Sequence, residues 1–164
     1  MPFNLGYVFR HHNYVLMEEP AAKMKNRKAD LMRWAHRYSL NFAMPKEFPI
    51  KTSRVLRAAL VAKQHNQIEA FMESIFRRYW EEGDASIQDY AGLAASISEL
   101  GFDVDQYVAE AESAAVREEF INITQQALNE GIFGAPIMRI EQEIYWGKDR
   151  FEFVEDHLKR LTNS

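Results

Sequence analysis

The strongest turn and strand signals of the chain lie together between Phe133 and Arg150. Phe133-Gly134-Ala135-Pro136 combines a glycine turn with an X-Pro bond. Two short apolar runs follow, Ile137 to Ile140 and Glu143 to Tyr145, and the polar pair Glu141-Gln142 separates them. Two apolar runs divided by a short polar break predict a β-hairpin.

The sequence after the hairpin predicts the start of the last helix. It reads Gly147-Lys148-Asp149-Arg150. Because aspartate is a favoured N-cap residue, we predict that Asp149 caps this helix and leaves its N-terminal amides facing an anion. A turn, an extended edge and a capped helix end then meet in one small volume.

Elsewhere the apolar residues recur mainly at helical spacing. Helices are predicted from Ala21 to Tyr38, from Thr52 or Ser53, from Asn66, from Asp89, from Asp103 or Asp105, from about Ser113 to Gly131, and from Arg150 to about Leu161. Met1 to Glu19 carries apolar side chains without a clean period, so an extended stretch and a loop are predicted there. The fold class is therefore predicted to be α+β and predominantly helical.

Two of these helices carry specific burial predictions. The helix that begins at Thr52 or Ser53 is apolar on all sides through Ala58 to Ala62, which predicts a central, buried helix. The last helix is predicted to bury Phe151, Val154 and Leu158.

The composition of the chain excludes some classes of function. The 164 residues are 47% hydrophobic and 13% aromatic, which favours one globular unit with a core of its own. The net charge of -4, with basic and acidic residues mixed, argues against a nucleic-acid partner. No apolar stretch approaches the roughly 20 residues of a membrane span. We therefore expect a soluble protein, located in the cytoplasm or in an organelle whose targeting segment is absent from this sequence.

Metal and dithiol chemistry find no support in the sequence. The chain has no cysteine, which excludes disulfides, dithiol redox chemistry and thiolate metal sites. Its five histidines show no metal-binding spacing, so no metal site is predicted.

Several motifs resemble one family. Gly131-Ile132-Phe133-Gly134-Ala135-Pro136 and the run from Tyr145 to Glu155 are similar to the C-terminal signature of 2-hydroxychromene-2-carboxylate isomerases and kappa-class glutathione transferases, within the DsbA-like thioredoxin superfamily. Asp30 to Ala35 and Phe48 to Thr52 resemble the helical insertion of the same family. Together these matches cover nearly the whole chain.

The resemblance implies a glutathione site and names its residues. Ala135-Pro136 would be a cis peptide, with the backbone of Ala135 binding the cysteinyl part of glutathione. Asp149 would accept from the γ-glutamyl ammonium, and Lys148 would donate a backbone N–H. Lys23 would reach a glutathione carboxylate, and Asn13 would contact the same ligand. An unsaturated aromatic oxo-acid or another electrophile would be the second substrate.

Three of these residues also have a plain structural interpretation. Pro136 could simply start an edge strand. Asp149 could serve only as a helix cap. Lys23 could be an ordinary solvated lysine.

The resemblance also divides the chain and raises an alternative. Residues 1–19 would be the remnant of a thioredoxin-like strand, 20–130 the helical insertion, and 131–164 the thioredoxin-like hairpin and last helix. The family's activating serine precedes this region, so we expect weak or no activity from this chain alone, or a natural protein that carries the segment upstream. The alternative is a non-catalytic helical module, in which dimerisation through the hairpin or exchange of the Met1 to Phe9 segment would cover the exposed hairpin edge.

Overall fold

The computed structural model describes residues 1–16 and 18–163; Met17, within the loop predicted before Pro20, and Ser164 lie outside them. Helices and strands follow in chain order: α1 (Leu5–His11), α2 (Ala21–Arg37), α3 (Ser53–Gln64), α4 (Ile68–Phe76), α5 (Tyr90–Glu99), α6 (Val104–Ala111), α7 (Ala114–Asn129), β1 (Ile137–Ile140), β2 (Glu143–Trp146) and α8 (Phe151–Thr162). A π-helical segment spans Arg77–Glu81, and 3₁₀ turns span Ala85–Gln88 and Lys148–Arg150. The prediction of a predominantly helical α+β fold is confirmed.

The chain forms two compact units. The first comprises Met1–Asn4 and Leu16–Ile123, and the second comprises Leu5–Val15 and Thr124–Ser164. Helix α7 contributes residues to both.

The first unit is built around α3. Ala58, Ala59, Leu60, Val61 and Ala62 of this helix are all 0% exposed, which confirms the prediction of a central helix. Around it pack the buried side chains of α4 to α7, which include Phe71, Ile75, Leu93, Ile97, Tyr107 and Val116. Small alanines on successive positions let neighbouring helices approach α3 on every side.

A π-helical segment follows α4 and contacts the loop that precedes α3. It spans Arg77–Glu81 and places two consecutive aromatic residues against this loop. The Tyr79 hydroxyl donates to the carbonyl oxygen of Glu47 at 2.9 Å. The carbonyl oxygen of Trp80 accepts from the backbone N–H of Ala43 at 2.6 Å. Both residues thus hold the loop to the helical core.

Two local predictions in the sequence are wrong. The stretch predicted to be extended contains α1, in which Leu5, Val8 and Phe9 do follow helical spacing and Val8 is fully buried. Asn66 does not cap α4. It lies just after α3 at φ 58°, a left-handed conformation that asparagine tolerates well, and Gln67 takes the N-cap position instead.

The hairpin of the second unit agrees with the prediction. β1 and β2 are antiparallel, with Ile137 opposite Trp146 and Ile140 opposite Glu143. The turn residue Glu141 has φ 52°. Arg139 of β1 forms an ion pair of 2.7 Å with Glu130, near the end of α7.

Helix α8 buries other residues than predicted. Phe151 and Leu158 are 62% and 48% exposed, Val154 is half-buried, and His157 is the residue that is buried. A two-stranded hairpin is narrow, so α8 packs on it only through the stripe that contains Val154 and His157. The prediction for Phe151 and Leu158 is therefore wrong.

Candidate functional site

Two turns of the second unit meet beside the hairpin. The first is Phe133 to Pro136, and the second is Gly147 to Arg150. The backbone N–H of Gly147 donates to the carbonyl oxygen of Pro136 at 3.1 Å, extending the hairpin ladder by one step. This bond fixes the two turns side by side.

Trp146 reinforces this junction. Its ring packs edge-to-face on Phe133, with centroids 5.4 Å apart. A Cβ at Gly134 would lie 2.8 Å from Nε1 of Trp146, so only glycine lets the indole lie this close to the turn. The predicted site residues of the first turn and those of the second turn therefore lie in one packed corner.

The peptide bond between Ala135 and Pro136 is cis, which confirms that prediction. A second cis peptide bond, not predicted, joins Phe48 to Pro49.

Asp149 does not cap α8, and this prediction is wrong. The 3₁₀ turn Lys148–Arg150 precedes the helix, which starts one residue later than predicted, so that Arg150 occupies the N-cap position. The carboxylate of Asp149 instead forms an ion pair of 2.7 Å with Nη1 of Arg150 and is 66% exposed. It also lies over the turn, because a Cβ at Gly147 would be 2.7 Å from Oδ1 of Asp149.

The other predicted site residues lie in different surroundings. Asn13 follows α1 at φ 53° in the second unit, where its backbone N–H donates to the carbonyl oxygen of Arg10 at 3.2 Å. Lys23 belongs to the first unit, and its side chain is 65% exposed. Its Nζ lies 3.0 Å from Oε1 of Glu19, and this hydrogen bond, assisted by Arg27, lowers the pKa of the Glu19 carboxyl.

A polar cluster between the hairpin and α8 was missed by the sequence reasoning. The Tyr145 hydroxyl lies 2.8 Å from Nδ1 of His157 and 2.7 Å from Oε2 of Glu143. Oε2 of Glu141 lies 3.6 Å from Nε2 of His157. The hydrogen bond to Glu143 and partial burial raise the pKa of Tyr145. A lone histidine in a charged helix carries no motif, so only the fold reveals this cluster.

A groove runs along β2. It has a volume of about 340 Å³ and is lined by the four residues of β2 and by Arg150, Phe153, Asp156 and Arg160. Trp146 and Phe153 are 57% and 58% exposed, which is unusual for side chains of this size. The groove therefore combines aromatic surface with two cations and two anions.

The family model described as DSBA-like thioredoxin domain matches residues 1–159. The chain belongs to the DSBA-like thioredoxin family. Among curated members, it is 34% identical over 140 residues to the 2-hydroxychromene-2-carboxylate isomerase of Sphingobium xenophagum, covering 85% of this chain and 70% of that protein. The corresponding isomerase of Pseudomonas putida is 30% identical, with 85% and 67% covered.

Two further proteins extend the comparison. Glutathione S-transferase kappa 2 of Caenorhabditis elegans is 28% identical over 171 residues, covering 96% of this chain and 76% of that protein. A solved structure of a 2-hydroxychromene-2-carboxylate isomerase superposes with a TM-score of 0.82 at 25% identity, covering 98% of this chain and 78% of that chain. The suspected family is thereby confirmed.

Two kinds of feature are not found in the part of the chain that the structure describes. In residues 1–16 and 18–163, no helix has both the length and the apolar character needed to cross a bilayer. In the same ranges, no group of three or more His, Cys, Asp or Glu side chains is arranged to hold a metal ion.

Proposed function

We propose that this chain takes part in glutathione-dependent isomerase or transferase chemistry, with glutathione bound at the corner formed by the two turns. The observation that carries the proposal is the bond between the Gly147 N–H and the Pro136 carbonyl. It brings Ala135, Pro136, Lys148 and Asp149, which come from two separate segments, into one corner. The similarity to proteins named isomerase and glutathione S-transferase supports this proposal.

The chemistry of the corner suits one end of glutathione. Asp149 offers an exposed carboxylate, which can accept from the ammonium of the γ-glutamyl group. The backbone of Ala135 would bind the cysteinyl part in an extended form. Arg150 competes for the Asp149 carboxylate, so binding of the ammonium requires that the two cations share it.

The remaining assignments follow the same proposal. Lys23 would bind a glutathione carboxylate in exchange for its contact with Glu19, and Asn13 would contribute a further polar contact. The thiolate would add reversibly to an unsaturated aromatic oxo-acid or attack another electrophile, a step that requires a low thiol pKa. We assign the stabilisation of the thiolate to none of the residues in this corner. We further propose a cytoplasmic homodimer.

Glutathione binding is measurable without turnover. Calorimetry with S-methylglutathione should show binding to the wild-type chain and at least a tenfold weaker affinity for Asp149→Ala. Asp105→Ala, which removes an acid from the first turn of α6, is the matched control and should bind like the wild type. In the same way, Lys23→Ala should weaken binding and Lys25→Ala should not. Equal affinity of Asp149→Ala and wild type would contradict the proposed site.

A further inference from the structure

The hairpin register determines which backbone N–H and C=O groups of β2 point away from β1. In an antiparallel pair, residues alternate between hydrogen-bonded and non-hydrogen-bonded positions. The Gly147 to Pro136 bond fixes this alternation, so Tyr145 and Glu143 direct their N–H and C=O groups toward β1. Ile144 and Trp146 therefore direct theirs outward, into the groove along β2.

This edge is symmetric about Tyr145. If a second β2 approaches antiparallel, Ile144 of one copy lies opposite Trp146 of the other, and each such pair can exchange two hydrogen bonds. Tyr145 then lies opposite Tyr145 of the other copy, on the two-fold axis. An edge that matches itself in this way has the geometry of an isologous interface.

The charges of the groove match under the same operation. Helix α8 runs back along β2, so Arg150 lies at the Trp146 end and Arg160 toward the Glu143 end, consistent with the effect of Arg160 on the Tyr145 hydroxyl. The two-fold axis brings the Glu143 end of one copy to the Trp146 end of the other. Arg150 then faces Glu143 of the second copy, as an ion pair. Phe153 faces Arg160 of the second copy, as a cation–π contact.

We propose that the groove along β2 is the surface through which two copies of this chain associate, joining their hairpins into one four-stranded sheet. The proposal gives a surface to the homodimer proposed above and does not depend on glutathione. It explains why Trp146 and Phe153 are exposed within a groove. It also covers the β2 edge, to which an unrelated chain could otherwise add a strand.

Proline substitutions test the edge directly. Ile144→Pro removes an outward N–H of β2 and no bond of the hairpin, and should give a monomer by light scattering where the wild type is a dimer. Arg139 lies opposite Ile144 and directs its N–H to the other edge, so Arg139→Pro is the matched control and should remain a dimer. Circular dichroism checks that both variants keep the wild-type helix content.

Charge exchange and cross-linking give independent readouts. Arg150→Glu and Glu143→Lys should each raise the dimer dissociation constant at least tenfold, and the double variant should recover most of the loss. Because the chain has no cysteine, Tyr145→Cys should form a disulfide-linked dimer on mild oxidation, and Arg139→Cys should not. A monomeric wild type, a dimeric Ile144→Pro, or equal cross-linking at both positions would overturn the proposal, whatever the result of the glutathione titration.

Discussion

The hydroxyl of Tyr145 lies 2.8 Å from Nδ1 of His157, and this contact joins the hairpin to the last helix. His157 is 6% exposed, and its neighbours on α8 at positions 156 and 158 are exposed. The buried stripe by which the last helix packs on the hairpin thus contains a polar contact, where most helices pack through apolar side chains alone.

We expect Tyr145→Phe to lower the melting temperature by roughly 2 to 4 °C, because a half-buried hydrogen bond is lost and the imidazole loses its partner. Thermal unfolding followed by circular dichroism measures this shift. Tyr14→Phe is the matched control, since Tyr14 belongs to the same unit and is 44% exposed. Equal effects of the two substitutions would count against a role for the Tyr145 hydroxyl.

Gly92 is expected to tolerate no side chain. A Cβ there would lie 2.0 Å from the carbonyl oxygen of Ser86, a backbone atom of the preceding 3₁₀ turn. Gly92→Ala should therefore cost about 2 kcal/mol or more of unfolding free energy. Gly83→Ala serves as comparator, because it meets no atom within 4 Å and costs only the strain of φ 71°, about 1 kcal/mol. Urea denaturation of both variants measures the difference.

Asp103 is expected to stabilise α6 as its N-cap. Its Oδ1 accepts from the backbone N–H of Gln106 at 2.9 Å. Asp103→Ala should cost about 1 kcal/mol of unfolding free energy. Asp105→Ala removes the same charge two residues later without removing this bond, and urea denaturation should show a smaller loss. If the two losses were equal, charge at the helix terminus, and not the capping bond, would be responsible.

Stability should fall at alkaline pH through Tyr90. Burial, and then the hydrogen bond with Glu112, raise the pKa of Tyr90 to about 12, whereas an unfolded tyrosine has a pKa of about 10. The folded state holds its proton more tightly, so this contribution is complete below pH 10 and is lost as the pH rises through 12. Urea denaturation between pH 9 and about 12 should show a shallower decline for Tyr90→Phe. Parallel curves for the two proteins would refute this assignment.

The sequence predicted those elements whose local signals agree with one another. The hairpin carries a polar break between two apolar runs, and α3 carries five consecutive small or apolar residues that a core can surround. The motifs around Ala135-Pro136 and Asp149 also indicated the family, because they match its C-terminal signature in sequence.

The wrong predictions have a common physical origin. Asn66 and Asp149 are residue types that serve either as helix caps or in turns, and which role they take depends on backbone angles that the sequence does not encode locally. The exposure of Phe151 and Leu158 depends on how wide a surface α8 faces, which no residue of α8 determines. The Tyr145–His157 contact joins residues whose side chains give no periodic signal.

The π-helical segment Arg77–Glu81 makes the fold sensitive to the number of residues at this point of the chain. A regular α-helix turns by about 100° per residue, so removal of Arg77 or Arg78 would rotate Tyr79 and Trp80 by that angle relative to α4. Tyr79 and Trp80 could then no longer both reach the backbone of the preceding loop. The length of the π-helical segment thus sets the positions of the two residues that hold the loop. A deletion of one residue there would free the loop from the helical core, although the sequence of the loop itself would be unchanged.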